Sequence, residues 1–194
     1  MNNYYDESNI FYIYSFNENY ASTILSNYLK NFGKVYNNYD NNPPKNISNS
    51  EIHKYKVIYI YTNPISIILD MIKKMIKNNN DYEPKIISMI EDSIITQTDL
   101  FLMEDSFNNF TNMTPKINRN YGIFCIKYET MFDHLKVINN ILGIPDIEEL
   151  YPIKNNIDDK EYCSIIKEID IEILNKIYKQ LIKKMSYMHF IALR

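Results

Sequence analysis

YKVIYIY, Tyr55 to Tyr61, is an apolar run interrupted only by Lys56, with no alternation of polar and apolar side chains. A strand with one wet face alternates, so an unbroken β-branched and aromatic run reads as a central strand covered on both faces. Asn63-Pro64 closes it. Pro64 fits the first turn of a helix, where the N–H it lacks would have no intrahelical partner, and a helix over 64–77 is expected.

On the N-terminal side, NIFYIYS, Asn9 to Ser15, is a second buried-type strand, followed by a polar turn from Phe16 to Asn19. Ala21, Ile24, Leu25, Tyr28, Leu29 and Phe32 then recur at the three-and-four spacing of a helix over 20–32, and Gly33 stands where helices stop. Lys34 to Tyr36 suits a brief strand, and 37–50, with Pro43-Pro44, a surface loop. On the C-terminal side, two helical patterns cover 85–95 and 99–110, the second with Leu100, Phe101, Met103, Phe107 and Phe110 lining a pocket or, the favoured reading, the core. YGIFCIK, Tyr121 to Lys127, is another buried strand, and a helix over 130–142 ends at Gly143 and Pro145. From Asp159 onward Ile165, Ile166, Ile169, Ile173, Leu174, Ile177, Leu181 and Ile182 continue a helical period. Strands alternating with helices predict βαβ units and a parallel sheet flanked by helices, with a helical C-terminal segment. The whole of 1–194 is expected to form one α/β domain. In such folds ligands sit beyond the C-terminal ends of the strands, here after Ser15, Tyr61 and Lys127.

Composition narrows the function classes. Hydrophobic residues at 45% and charged residues at 23% support a packed core and exclude a disordered chain. A formal net charge of −3 argues against nucleic-acid binding by phosphate neutralisation. The basic clusters, Lys73, Lys74 and Lys77 and then Lys183 and Lys184, sit inside apolar helical patterns and read as solvated helix faces. Cys125 and Cys163 each lie in an apolar element and read as small buried hydrophobes. His53, His134 and His189 are isolated, so no zinc-ligand spacing exists and no metal is expected. Met1 to Glu7 is polar and acidic, and no apolar run approaches the roughly 18 residues of a membrane span. Cytoplasmic residence is the expectation.

Three segments at those strand ends, YSFNENYASTIL (Tyr14 to Leu25), KVIYIYTNPISIILDM (Lys56 to Met71) and IKYETMFDHLKVINNILGIP (Ile126 to Pro145), with the stretch that precedes the last, resemble the sulfotransferases, which move a sulfuryl group from 3′-phosphoadenosine 5′-phosphosulfate (PAPS) to an alcohol or amine. IKYETMFDHLKVINNILGIP, Ile126 to Pro145, is similar to the family's strand ending in an Arg/Lys-Tyr-Glu triplet followed by a helix and Leu-Gly. DLFLMEDSFNNFTN, Asp99 to Asn112, resembles the helix preceding it, with an aromatic near Phe110. KVIYIYTNPISIILDM, Lys56 to Met71, is similar to the strand followed by Arg-Asn/Asp-Pro and a later Ser, the Arg and Ser that hold the donor's 3′-phosphate. Thr62 and Asp70 occupy those two positions. YSFNENYASTIL, Tyr14 to Leu25, aligns with the phosphosulfate loop Ser-x-Pro-Lys/Arg-Ser-Gly-Thr-Thr. Asn17 replaces its Pro, Glu18 its cation, Tyr20 its Gly, and Ala21-Ser22 its hydroxyl pair, leaving Ser22 as the one retained hydroxyl.

The resemblance implies a three-layer, P-loop-like sheet with PAPS as the cofactor. Its donor site would comprise Asn17, Glu18, Asn19, Tyr20, Ala21, Ser22, Thr23, Thr62 and Asp70. Asp40, in VYNNYD, is the titratable residue nearest the place of the family's catalytic base. Two functions stay open. In one, Ser22, Thr62 and Lys127 or Arg119 rebuild a donor site, and Asp40 or Glu129 takes the acceptor proton of a small-molecule or glycan substrate. In the other, the fold persists as a pseudoenzyme that binds another ligand or a protein partner, for which eighteen tyrosines supply apolar area with polar tips. Both readings fail if the body is all-helical, or if Ser22 and Thr62 lie on opposite sides of it.

Overall fold

A computed structural model describes residues 4–16, 20–39, 46–78, 83–111, 119–153, 171–188 and 191–193. The chain forms two compact units, one of Met1–Thr62, Ser106–Lys154 and Met188–Arg194, the other of Asn63–Asp105 and Asn155–Tyr187.

The first unit is built on an α/β sheet. Its strands are β1 (Ile10–Ser15), β2 (Lys34–Tyr39), β3 (Tyr55–Tyr61), β4 (Ile123–Lys127) and β5 (Ile191–Leu193), in the order β2-β1-β3-β4-β5. The β1–β2, β1–β3 and β3–β4 pairs are parallel, with Tyr12 opposite Val57, Tyr14 opposite Tyr59 and Tyr61 opposite Lys127. Parallel pairing needs a long crossover between consecutive strands, and α1 (Tyr20–Leu29) supplies the first. β5 departs from the expected all-parallel sheet, because it returns after the C-terminal helices and pairs antiparallel with β4.

Residues Val57 to Tyr61 are buried, as a strand covered on both faces requires. On one face Phe11, Ile13, Ile58, Ile60 and Ile126 pack against Ala21, Leu25 and Leu29 of α1. Leu135, Ile138 and Leu142 of a later helix, Leu135–Leu142, join the same core. On the other face Tyr14, Tyr59 and Tyr61 meet Phe107 and Phe110, so these two phenylalanines belong to the core. Cys125, on β4, is buried and donates its thiol to the Ile123 carbonyl at 3.8 Å, while Cys163 and His189 lie outside the described residues.

Two sequence-based boundaries are corrected. The helix expected over 130–142 is a short helix at Tyr128–Met131, a 3₁₀ turn at Phe132–His134, and the Leu135–Leu142 helix. His134 Nδ1 lies 2.8 Å from the Thr130 carbonyl, which can only accept, so the imidazole donates where a helical N–H would. The helix ends as expected, with Gly143 at φ 68° and its N–H on the Asn140 carbonyl. Gly33 has a different role from a helix stop, because α1 ends at Leu29. A Cβ at position 33 would lie 2.4 Å from the Asn9 carbonyl oxygen, where β2 starts alongside β1.

The second unit contains α2 (Pro64–Asn78), α3 (Glu83–Thr96) and helices at Ile171–Ile177 and Lys179–Ser186. Tyr178 is buried and donates its hydroxyl to Asp99 Oδ1 at 3.0 Å. Asp99 Oδ2 accepts the backbone N–H of Glu104 at 2.9 Å and so caps the helix that starts at Met103. Burial pushes the Tyr178 phenol upward, and the Asp99 charge adds to that. No helix among the described residues is long and apolar enough to cross a membrane.

Candidate functional site

The strand order has a switch between β1 and β3. From β1 the chain crosses to β2 on one side, and from β3 to β4 on the other. Loops that diverge in this way leave a crevice at the C-terminal edge of the sheet. All residues considered at that crevice belong to the first unit.

Ser15 ends β1 and is buried. Tyr20, Ala21, Ser22 and Thr23 form the first turn of α1. Ala21 turns into the aliphatic core, Ser22 is fully buried, and Thr23 is half-buried. Thr62 follows β3 and is buried. Because Tyr61 pairs with Lys127, Thr62 emerges beside the start of the helix that follows β4, and its hydroxyl donates to Oε1 of Glu129, the second residue after that strand, at 2.5 Å. Ser22 and Thr62 therefore follow the C-terminal ends of adjacent parallel strands, at the same edge of the sheet.

Tyr20 and Tyr128 add an aromatic corner. Their ring centroids lie 6.4 Å apart at an interplanar angle of 82°, and Phe132 packs edge-on against Tyr128 at 5.5 Å. Among the described residues, the buried Tyr20 hydroxyl has no hydrogen-bond partner. Such a group carries a desolvation penalty of about 1–3 kcal/mol, so it marks a place where a donor or acceptor is missing.

The cations are placed otherwise. Lys127 pairs with Tyr61 and shares its face of the sheet, which by strand alternation is opposite to that of Ile126. Arg119 precedes β4 and donates from Nη2 to the Asn109 carbonyl at 2.9 Å. Asp70 belongs to the second unit, where Lys74, one helical turn on, lies 3.4 Å from its carboxylate. Asn17, Glu18, Asn19 and Asp40 lie outside the described residues. No group of three or more metal-ligating side chains occurs among the described residues.

Sequence reading singled out Thr62 and Glu129 separately and missed that they bond to each other. A partial signal existed: parallel pairing of the runs 55–61 and 121–127 brings Thr62 beside Tyr128, and Glu129 is the next residue. The orphan Tyr20 hydroxyl had no signal, since burial of a single oxygen depends on packing. No family model matches the chain, and no curated protein matches it.

Proposed function

We propose that this chain is a sulfotransferase-like protein that keeps the strand-end crevice of the PAPS-dependent family without its donor chemistry, and acts as a non-catalytic binding module. The reading draws on the order of the resembling segments and on the parallel arrangement of β1, β3 and β4 that brings their ends to one edge. One observation carries it. At the position that the resemblance gives to the arginine on the donor's 3′-phosphate, Thr62 spends its hydroxyl hydrogen on the Glu129 carboxylate.

A phosphate placed there meets a carboxylate, and Thr62 supplies no guanidinium. Two unit charges of like sign about 4 Å apart repel by about 4 kcal/mol at an effective dielectric near 20. That corresponds to about a thousandfold loss of affinity. The replacements in the preceding loop act in the same direction. Glu18 stands for the cation, and Tyr20 puts a large side chain where glycine would let backbone N–H groups close on an anion.

Isothermal titration with 3′-phosphoadenosine 5′-phosphate, the spent donor, tests this directly. No saturable heat is expected at millimolar ligand, and a saturable curve would overturn the proposal. The triple variant Glu18→Lys, Tyr20→Gly, Thr62→Arg is expected to gain affinity for the same nucleotide. A variant with unchanged circular dichroism and no gain would count against the sulfotransferase alignment itself.

A further inference from the structure

We infer that β2 (Lys34–Tyr39) is a self-pairing edge, and that two copies of this chain join through it, antiparallel and twofold symmetric, into one continuous sheet. β2 stands at the end of the sheet, and among the described residues β1 is its one neighbour there. The Lys34 N–H donates to the Asn9 carbonyl at 2.9 Å. Backbone groups alternate in direction along a strand, so the even-numbered residues of β2 carry the bonds to β1, and the odd-numbered ones turn their N–H and C=O groups to the outer edge. Folded proteins blunt such edges with charges, prolines or bulges. β2 has no proline, its register with β1 runs without a bulge from Lys34 to Tyr39, and Lys34 is its one charge.

A row of rings selects a second copy as the partner. Tyr36 on β2, Tyr12 on β1 and Tyr55 on β3 share one face of the sheet. Tyr36 and Tyr12 are direct neighbours in the register and stack 4.9 Å apart at 16°, while Tyr55 lies 5.6 Å from Tyr12 on its other side. The step from Tyr12 to Tyr36 equals the spacing of neighbouring strands, about 4.7–4.9 Å, so the row advances one ring per strand. It ends at Tyr36, which is 43% exposed, and a strand added to this edge carries the next ring. An antiparallel copy of β2 supplies it. Bonding at the outer edge sets odd-numbered residues opposite odd-numbered residues, which admits only registers centred on one residue. The register centred on Tyr36 places it opposite its own copy as a non-hydrogen-bonded pair, where side chains approach closest, with Val35 opposite Asn37 on either side. The three rings then continue into the same three of the second copy, and the two Lys34 residues fall at opposite ends of the paired stretch. Registers centred on Val35 or Asn37 interrupt the row. Such a contact uses the same edge twice and closes at two copies.

Sedimentation equilibrium of the full chain, from roughly 10 µM to 1 mM, tests the inference. One six-residue edge buries less than the standard interface of about 1,600 Å², so a monomer–dimer equilibrium with a dissociation constant on the order of 100 µM is expected, without larger species. Tyr36→Lys sets two like charges face to face at the twofold and is expected to weaken association by about tenfold or more. Val35→Pro removes an N–H directed to the outer edge while leaving the bonds to β1, and is expected to act in the same direction. Circular dichroism checks the fold of each variant. A wild-type chain that stays monomeric at about 1 mM, or a dimer whose affinity is unchanged in folded Tyr36→Lys, overturns the inference. If neither variant folds, NMR on a mixture of isotope-labelled and unlabelled wild-type chains decides. Intermolecular contacts between Tyr36 rings support the pairing, and their absence from a dimer sinks it.

Discussion

On one face of the sheet Ile13, Ile58, Ile60 and Ile126 meet α1 and the Leu135–Leu142 helix through aliphatic side chains; on the other, Tyr14, Tyr59 and Tyr61 meet Phe107 and Phe110 through rings. The aliphatic face asks nothing of its neighbours but shape. The tyrosine face gains specific ring geometry, with Tyr59 and Phe110 stacked at 4.4 Å and 4°, yet each phenol carries an oxygen inward that has to be paired. Tyr59 settles this by bonding to Ser106, and burial pushes its phenol well above the usual tyrosine range. The crevice lies at the end of the aliphatic face, where Ser15 and Thr62 succeed the isoleucines along β1 and β3. A face with few polar obligations thus ends in buried hydroxyls at the strand ends, that of Thr62 bonded to Glu129, while on the tyrosine face Tyr59 commits its phenol to the core.

The largest test of this contrast is Phe110→Ala. Phe110 touches both Tyr14 and Tyr59, and its loss leaves a cavity between rings that cannot collapse as aliphatic chains do. The expected loss of stability is about 3–5 kcal/mol in urea unfolding, against about 0.5–1.5 kcal/mol for Ile58→Val on the other face. Phe110→Leu keeps most of the buried area and loses the stack, for an expected cost near 1 kcal/mol beyond the difference in area. If Phe110→Leu is as stable as the wild type, ring geometry contributes nothing and the two faces are equivalent.

The helices that cover the aliphatic face share a buried polar link, and Asn139→Ala probes it. Asn139 is fully buried, accepts the Tyr28 hydroxyl at 2.9 Å and donates to Asp146 Oδ1 at 3.0 Å, and the Tyr151 hydroxyl reaches the same Asp146 oxygen. This chain ties α1 to the Leu135–Leu142 helix and to the segment that follows it. Removing the amide strands the Tyr28 hydroxyl in the core, at an expected cost of about 1–3 kcal/mol. Asn139→Ala together with Tyr28→Phe removes both partners, and the double variant is expected to recover part of that loss. No recovery would show that the link acts through packing and not through the hydrogen bond.

How much of this was legible follows from chain distance. The strands 10–15, 55–61 and 123–127 announce themselves because burial on both faces leaves an uninterrupted apolar run. β5 does not, since its three residues are too few to show a period and nothing local dictates its antiparallel direction. The break before Leu135 was hidden because it depends on a histidine side chain competing for a carbonyl, in a stretch without Gly or Pro. At the crevice, the positions of Ser22 and Thr62 after the C-terminal ends of β1 and β3 follow from parallel βαβ logic. The Thr62–Glu129 bond joins residues 67 positions apart and becomes readable only through the pairing of β3 with β4. The Asn139 link, across 111 positions between two helices, had no pattern to reveal it.

The smallest effect expected is a difference in alkaline sensitivity between the two faces. Burial holds the Tyr28 phenol up to about 12, with the Asp146 charge adding to it, while an unfolded tyrosine ionises near about 10. A group whose pKa is raised in the folded state stabilises it fully below the unfolded value and loses that contribution as pH rises toward the folded one. Stability should therefore fall between about pH 10 and 12, and Tyr28→Phe should flatten part of that slope. Tyr59, buried among rings and pushed further upward, keeps its proton beyond this window and also loses stability relative to its unfolded, ionised form. The two tyrosines thus differ in where the slope ends, Tyr28 near pH 12 and Tyr59 above it. Ultraviolet titration of phenolate in the native protein, compared between wild type, Tyr28→Phe and Tyr59→Phe, resolves the order. Loss of the Tyr59 proton before that of Tyr28 would mean that the tyrosine face is the wetter of the two, and the contrast drawn between them would have to be reversed.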